Sequence, residues 1–392
     1  IAGQSPLDSY MNTEQLLKVA KDIGADAVHP GYGFLSENAD FVRQVHSAGM
    51  HFIGPSPDWI ERMADKVEAR KLMKSAGVPI FPGSGQITSE KEGREFVSEN
   101  GLPVVVKPSG GGGGIGMKVV FDERELGKAI LTASDMAEKS FSNGSVYLER
   151  WIADSRHIEF QILADLDGNV MHLFERDCSM QRRNQKLIEE APAFGIDRAE
   201  CESLADRLVG TVRKLGYDNL GTIETLRSSS GEYGFLEMNT RIQVEHGVTE
   251  EVTGVDLVAV QIRLAAGEGL PEMTDLDGFA IEARVYAEDP VSLMPSTGKL
   301  RVFRPPELYG VRVETGVQEG QTISPYYDAL LAKVIAKGQT REQAIGRLFV
   351  ALKAFAIQGV QTNVSMLMGI IQHQAFLEGN IDTKFLDKHK II

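Results

Sequence analysis

Residues 237–246 read "EMNTRIQVEH", and every second residue from Glu237 to Glu245 is polar or charged. Strict alternation of this kind predicts a half-buried β-strand with one polar face. A solvated strand usually carries lysine, threonine and serine, whereas this face combines carboxylates with an amide and an arginine. Such a set can hold a cation and an anion together. A face that is simply solvated is the alternative interpretation.

A second carboxylate-bearing segment precedes this one along the chain. "GTIETL" contains Glu224, and "SSSG" at 228–231 lies midway between Glu224 and Glu237. In a hairpin that turns there, the two glutamates face each other, and like charges directly opposite destabilise a sheet. Mg²⁺ or Mn²⁺ between them would remove the repulsion, with Asn239 as a third oxygen ligand. An accidental pair of glutamates is the alternative.

Residues 110–116 read "GGGGGIG" and fit the spacing G-x-G-x-x-G. The dinucleotide fingerprint must open a helix, but "MKVV" follows here and is typical of a strand. The Walker pattern is absent from the sequence as well. A glycine loop between two antiparallel strands can still bind phosphates through its backbone N–H groups. Lys107 lies just before the loop, where it can contact phosphate, and a flexible surface turn is the alternative.

Composition narrows the class of protein. The chain has 392 residues, of which 42% are hydrophobic and 24% charged, as in ordinary globular proteins. It contains no run of 18 apolar residues, so no membrane partner is expected. A net charge of −14 disfavours general binding of nucleic acid. Cys178 and Cys201 form no metal-ligand spacing, which favours two reduced thiols and a cytoplasmic location.

The hydrophobic pattern gives a coarse organisation. Residues 1–57 alternate strand and helix, which predicts a parallel sheet. One long helix is expected over 61–77, and Asp-Gly at 167–168 predicts a β-hairpin. From about residue 280, short strands are expected to lead to a closing helix over 341–355.

Six motifs together resemble biotin carboxylase, the ATP-dependent component of biotin-dependent carboxylases such as acetyl-CoA carboxylase, in the ATP-grasp superfamily. They are "HPGYGFLSEN" (29–38), "KPSGGGGG" (107–114), "FERDCSMQRRNQKLIEEAPA" (174–193), "EMNTRIQVEH" (237–246), "VYAEDP" (285–290) and "SPYYDALLAKVIA" (324–336). The resemblance spans essentially the whole chain. Compared with the family pattern, the chain departs at Ile115, Asn184 and Gly247.

The resemblance implies an α/β fold (α+β overall) of three domains. It implies an N-terminal biotin carboxylase domain over 1–64, an ATP-grasp domain over 65–265 with a mobile lid at about 81–151, and a C-terminal domain over 281–388. Family members begin with a further strand–helix unit, so the N-terminal domain is expected to be truncated here. The implied partners are a biotin carboxyl carrier protein or domain and a carboxyltransferase, with a homodimer as the expected assembly.

The resemblance also implies the reaction: bicarbonate attacks ATP to give carboxyphosphate, whose CO₂ then carboxylates biotin on the carrier. Implied ATP-binding residues are Lys66, Lys107, Gly112, Gly113, Gly114, Glu149, Ile152, His157 and Gln181. Implied metal ligands are Glu224, Glu237 and Asn239. Bicarbonate would contact Lys186, Arg241, Gln243 and the Val244 N–H, with Glu245 as the general base. Arg284 would stabilise the biotin enolate, and Tyr32 would lie at the biotin edge.

Two other functions fit part of the pattern. Another ATP-grasp ligase that forms an acyl phosphate would share the lysines and the metal glutamates. It would not require Arg284 within "ARVYAEDP" or Tyr32 within "HPGYGF". A catalytically impaired nucleotide-binding homologue is favoured by Ile115, but Lys186, Arg241 and Glu245 are all present and argue against it.

Overall fold

The computed structural model describes residues 3–111 and 114–391. Its N-terminal segment alternates helix and strand, in α1 (Thr13–Asp22), β1 (Ala27–Val28), α2 (Ala39–Ser47), β2 (His51–Phe52) and α3 (Pro57–Ala64). The two strands pair in parallel, as the sequence predicts. Apolar residues from the helices and strands of this N-terminal segment form a small core of their own, which includes Phe41, Val45 and Phe52.

The single helix predicted over 61–77 is wrong, because the chain breaks between α3 and α4 (Lys66–Ser75). Asp65 adopts an extended conformation there, and its side chain accepts hydrogen bonds from the N–H groups of Val67 and Glu68. Such a cap satisfies backbone donors that a helix start leaves free. The break places Lys66 at the first position of α4, where it borders the cavity described below.

The lid segment forms a four-stranded sheet in the order β3-β6-β4-β5. Its elements are β3 (Gly83–Ile87), α5 (Glu90–Asn100), β4 (Val104–Pro108), β5 (Lys118–Val120), a 3₁₀ turn (Glu123–Glu125), α6 (Leu126–Phe141) and β6 (Val146–Arg150). Strands β4 and β5 are antiparallel and flank the glycine loop, as the sequence predicts. Apolar side chains of both helices pack on the sheet, so this segment has its own core.

An eight-stranded sheet is the central element of the remaining chain. Its strands are β7 (Arg156–Ala164), β8 (Val170–Arg182), β9 (Gln185–Ala191), β10 (Asn219–Arg227), β11 (Tyr233–Asn239), β12 (Phe279–Tyr286), β15 (Val311–Thr315) and β17 (Leu330–Gly338). Their order is β11-β10-β7-β8-β9-β12-β17-β15, and every neighbouring pair is antiparallel. The hairpin predicted at Asp167-Gly168 joins β7 to β8. One sheet thus spans the predicted ATP-grasp and C-terminal domains.

Helices and short strands complete the fold. They are α7 (Arg198–Leu215), α8 (His246–Thr253), α9 (Leu257–Ala265), β13 (Gly298–Lys299), β14 (Val302–Arg304), β16 (Thr322–Ile323), α10 (Arg341–Ala354), β18 (Ala356–Gln358), α11 (Val364–Gln372), α12 (Gln374–Leu377) and α13 (Phe385–His389). The helix predicted to close the chain is α10, but three helices follow it. Across residues 3–111 and 114–391, none of the helices has the length and apolarity needed to cross a membrane.

The strand predicted over 237–246 is correct only as far as Asn239, where β11 ends. Residues 240–245 turn away from the sheet, and α8 begins at His246. Ile242 anchors the turn in an apolar cluster with Leu163 and Leu220. The alternation therefore does not describe one flat polar face. It describes a strand end and a turn whose polar side chains converge.

Candidate active site

A cavity of about 790 Å³ lies between the lid sheet and the eight-stranded sheet. The residues proposed from the sequence that line it are Tyr32, Lys66, Lys107, Gly114, Glu149, Ile152, His157, Gln181, Lys186, Glu224, Glu237, Asn239, Arg241, Gln243, Val244, Glu245 and Arg284. Gly112 and Gly113 lie outside the described residues. The fold thus brings together, in one cavity, side chains that are up to 252 positions apart, from Tyr32 to Arg284.

Glu224 and Glu237 are direct cross-strand partners on β10 and β11, as the hairpin geometry predicts. Two lysines already offset the charge of the pair, because Lys186 lies 3.1 Å from Glu224 and Lys66 contacts Glu237. Lys66 bonds to Glu237, while the Nε2 of His157 lies 2.9 Å from Glu224. Burial opposes the charge on Glu224, but Lys186 and then His157 outweigh it and lower the pKa of its carboxyl group far below the usual value.

The same patch offers a third hard oxygen. The Nε2 of Gln243 donates to Oε1 of Glu224 over 2.9 Å and also to Oδ1 of Asn239. Two carboxylates and an amide oxygen held side by side suit Mg²⁺, which prefers such ligands together with phosphate oxygens. Lys66 contacts only Oε2 of Glu237, so the second carboxylate oxygen is left for a metal.

Lys186 lies at the centre of the cavity and contacts three carboxylates. Its Nζ donates to Glu159 over 2.7 Å, to Glu224 over 3.1 Å and to Glu245 over 2.5 Å. Burial alone would lower the pKa of Lys186, yet these carboxylates raise it well above the ordinary value. The ammonium is therefore permanently charged, and it fills the cluster that His157, Glu159 and Glu224 would otherwise offer to a metal.

Glu245 is held between two cations. Its Oε1 accepts the bond from Lys186, and its Oε2 accepts one from Nη2 of Arg284 over 2.8 Å. The other side of Arg284 donates to Glu189 over 2.6 Å. Although burial disfavours its charge, Lys186, Arg284 and then Arg176 bring the pKa of Glu245 well below its usual range. The carboxylate is therefore ionised and, while both cations contact it, a weak base.

Arg241 lies on the turn that follows β11. Its Nε donates to Glu37 over 2.9 Å, and its Nη1 donates to Oε1 of Gln243 over 3.0 Å. The side chain keeps about 19% of its surface exposed, so part of the guanidinium faces the cavity opening. Arg241 thus lines the same cavity as Lys186 and Glu245, and a guanidinium group can bind a planar oxyanion through two donors.

On the lid sheet, Lys107 and Glu149 bond to each other and are both buried. Gln181 lies 2.8 Å from Nδ1 of His157.

Between β8 and β9 a two-residue turn contains Arg183 and Asn184 with φ of 50° and 67°. Asparagine tolerates such backbone angles well in hairpins. A Cβ added at Gly114 would collide with the Asn184 side chain, so this turn tip closes against the glycine loop.

Sequence reasoning missed several buried charges behind the cavity wall. Arg176 is fully buried and bonds to Glu159 over 2.5 Å and to Gln161 over 2.9 Å. Arg70 pairs with Glu149 from beneath. The signal was available for β7, because "RHIEFQIL" alternates charged or amide residues with apolar ones. Such residues orient the groups that line the cavity.

Both cysteines are free thiols buried in the described part of the chain. Cys178 lies 3.8 Å from Glu245. Burial and then the neighbouring Glu159 raise the pKa of Cys178 well above its usual value. A thiol that stays protonated is a poor nucleophile, so Cys178 serves as a small buried side chain.

Three family models match the chain. Residues 1–60 match the biotin carboxylase N-terminal domain, residues 65–273 the ATP-binding domain of the carbamoyl-phosphate synthase L chain, and residues 282–388 the biotin carboxylase C-terminal domain. The chain is 47% identical to a biotin carboxylase of Halalkalibacterium halodurans, over 99% of this chain and 87% of that protein. It is 45% identical to human mitochondrial pyruvate carboxylase, over 99% of this chain but only 34% of that protein.

A solved structure shows the same fold. It is the biotin carboxylase domain dimer of 2-oxoglutarate carboxylase from Hydrogenobacter thermophilus, in complex with MgADP, ADP and bicarbonate. The TM-score is 0.97 at 43% sequence identity, over 100% of this chain and 87% of that one.

Proposed function

The chain belongs to the biotin carboxylase family, and from this membership we propose how its residues carry out the family's reaction. It is an enzyme that carboxylates biotin with ATP and bicarbonate, and it uses Mg²⁺. The family, the fold class, the reaction and the cofactors predicted from the motifs are thereby confirmed. The domain boundaries and the roles of single residues remain predictions.

One observation supports the assignment of roles best: the carboxylate of Glu245 joins Lys186 to Arg284 inside the same cavity. The first half of the reaction forms a bond between a bicarbonate oxygen and the γ-phosphorus of ATP and breaks the bond to ADP. In the second half, carboxyphosphate splits into CO₂ and phosphate, and N1′ of biotin attacks the CO₂. Glu245 can therefore act as the base for bicarbonate in the first half of the reaction, and it lies next to Arg284, the proposed biotin-binding residue of the second half.

We assign bicarbonate to the space bounded by Lys186, Arg241, Gln243 and the Val244 N–H. Two cations there offset the repulsion between two anionic reactants. While Lys186 and Arg284 both stabilise its charge, Glu245 is a weak base. When these cations turn toward bicarbonate and biotin, the pKa of Glu245 rises and the carboxylate can take the bicarbonate proton.

Glu224, Glu237 and Asn239 would hold Mg²⁺, which supplies positive charge to the phosphate oxygens. Lys66 and Lys107 would bind the phosphates once they leave Glu237 and Glu149, their partners in this structure. His157 and Gln181 would contact the nucleotide, and Glu149 and Ile152 border it. Gly114, beside Asn184, would cover the phosphates.

Tyr32 and Arg284 form the proposed biotin end of the cavity. Tyr32 is about 39% exposed, and its ring can lie along the ureido ring of biotin. The guanidinium of Arg284 would stabilise the enolate oxygen that appears when N1′ loses its proton to phosphate. Since that charge is absent from the substrate, Arg284 acts mainly on rate.

Related biotin carboxylase domains form dimers or belong to longer polypeptides. The thermophilic relative forms a dimer, and pyruvate carboxylase relatives are about three times as long as this chain. We propose that this chain also forms a homodimer, receives biotin on a carrier protein or domain, and passes the carboxyl group to a carboxyltransferase. A cytoplasmic location stays a prediction.

Arg284→Lys should separate the two halves of the reaction. Lysine keeps one positive charge between Glu189 and Glu245, whereas alanine would strand two buried carboxylates at a cost of about 3–5 kcal/mol. Lysine lacks the planar fork, so we expect roughly 10²-fold slower carboxybiotin formation. The measurement is ADP release with and without free biotin, together with carboxybiotin.

Bicarbonate-dependent ADP release without biotin should fall far less than carboxybiotin formation in this variant. Arg263→Lys, on the exposed side of α9, is the matched control and should behave as the wild type. Equal losses in both assays would show that Arg284 supports the fold or the nucleotide site, and its assignment to biotin would have to be withdrawn.

A further inference from the structure

Two buried carboxylates lie behind Arg284, outside the residues that line the cavity. Glu282 on β12 and Glu189 on β9 are direct cross-strand partners, and neither side chain is exposed. Directly opposed residues of a sheet project from the same face with Cβ atoms about 5 Å apart. Two negative charges at that distance in a dry interior repel each other strongly, so the pair needs a proton or cations.

The hydrogen bonds show that Glu282 is the member of the pair whose negative charge would not be compensated. Oε1 of Glu189 accepts from Arg284 over 2.6 Å. Neither oxygen of Glu282, nor Oε2 of Glu189, has a hydrogen-bond partner among the described residues. Lys333 lies 3.7 Å from Glu282 but directs its donors to the Val244 carbonyl and, over 2.6 Å, to Glu314. An ionised carboxylate without a donor is costly to bury.

The surroundings of Glu282 are charged on one face only. They comprise Lys333 from β17, Glu189 from β9, Arg284 on the same strand, Glu245 at the start of α8, and, around Lys333, Tyr32, His246 and Glu314. The opposite face of β12, with Ile281 and Ala283, packs against apolar side chains of α10 such as Leu348. Only the charged side chains on the first face can shift or titrate when Glu282 ionises.

Burial favours the protonated form of both carboxyl groups. It raises the pKa of Glu282 to about 8, against the opposing charge of Lys333. It raises the pKa of Glu189 to about 7, against the opposing charge of Arg284. Near neutral pH the pair therefore retains at least one proton, which we place on Glu282, the member whose oxygens have no hydrogen-bond donor among the described residues.

We propose that Glu282 is a positioning residue for the biotin half-reaction, because its proton lets Glu189 hold Arg284 with a single negative charge. When Glu282 ionises, a second negative charge forms behind Arg284. The guanidinium is then drawn to the carboxylate pair and stabilises the biotin enolate less well. The inference rests on the proposed role of Arg284 and adds an alkaline limit that belongs to biotin carboxylation alone.

The experiment compares two rates between pH 6.5 and pH 9.5: carboxybiotin formation from free biotin, and bicarbonate-dependent ADP release without biotin. Loss of charge on phosphate-binding lysines lowers both rates, so their ratio isolates the biotin step. In the wild type we expect the ratio to fall as Glu282 ionises and to level off at a lower value once it is fully ionised. Glu282→Gln, which cannot ionise, should keep the ratio nearly level.

Two further variants complete the test. Glu307→Gln, an exposed glutamate of the same domain, should follow the wild-type ratio. Glu282→Asp keeps a titrating group and should keep the alkaline fall. In Glu189→Gln, ionised Glu282 is the single negative charge of the pair behind Arg284, so the alkaline fall should be lost or much smaller. This variant gives a second readout if Glu282→Gln folds poorly.

An alkaline fall that is the same in Glu282→Gln and the wild type would overturn the proposal, as would an undiminished fall in Glu189→Gln. A wild-type protein that forms carboxybiotin at no pH would instead refute the function proposed for the whole site. The two failures are therefore distinguishable in one data set.

Discussion

Glu237→Gln should abolish ATP turnover that depends on Mg²⁺. The change removes one of the two charges that would hold the metal, while the shape of the side chain is kept. Metal ions supply several kcal/mol of transition-state stabilisation in such sites, so we expect turnover to fall by roughly 10³-fold or more. The measurement is ADP release at saturating ATP and bicarbonate, titrated with Mg²⁺.

The thermal stability of this variant should change little. Repulsion between Glu224 and Glu237 is already offset, because Lys66 and Lys186 contact the pair. Removing one charge should therefore give no gain from relieved repulsion. Glu232→Gln, exposed near the tip of the same hairpin, is the matched control and should keep full turnover. Normal turnover in Glu237→Gln would mean that this hairpin does not hold the metal.

Glu245→Gln should stop both halves of the reaction. Glutamine can still contact Lys186 and Arg284 through its amide oxygen, but it cannot accept the bicarbonate proton. Loss of a general base typically costs about 10² to 10⁴-fold in rate. We expect carboxybiotin formation and bicarbonate-dependent ADP release to fall together, with the KM for ATP nearly unchanged. This joint loss distinguishes Glu245 from Arg284.

The control for Glu245 is Glu268→Gln, an exposed glutamate just beyond α9. A circular dichroism melt should accompany both variants, because Glu245 is buried and compensates two cations. If Glu245→Gln forms carboxybiotin at the wild-type rate, another group takes the proton and the base must be assigned again.

Local sequence rules predicted the β10–β11 hairpin and its pair of glutamates well. The turn at "SSSG" and the pairing of Glu224 with Glu237 follow from chain symmetry alone, and the structure has that register. The same rules failed after Asn239, because a turn that aims alternate side chains into a cavity gives the same alternation as a strand. Sequence spacing carries no information on that change of backbone direction.

The break at Asp65 could have been found. Aspartate followed three residues later by glutamate is a common signature of a helix start, and it stands here inside a pattern that otherwise reads as one helix. The pairing of Glu282 with Glu189 could not have been found. The two residues lie 93 positions apart, and only the order of strands in the sheet brings β9 beside β12.

The most direct test of the account follows the carbon of bicarbonate. The purified protein is incubated with ¹⁴C-bicarbonate, ATP, Mg²⁺ and free biotin, and labelled carboxybiotin and ADP are measured together. We predict labelled carboxybiotin only when all four are present, with at least one ADP released for each carboxybiotin formed. ATP cleavage that proceeds without bicarbonate, or that never places label on biotin, would contradict the central claim that this cavity carboxylates biotin.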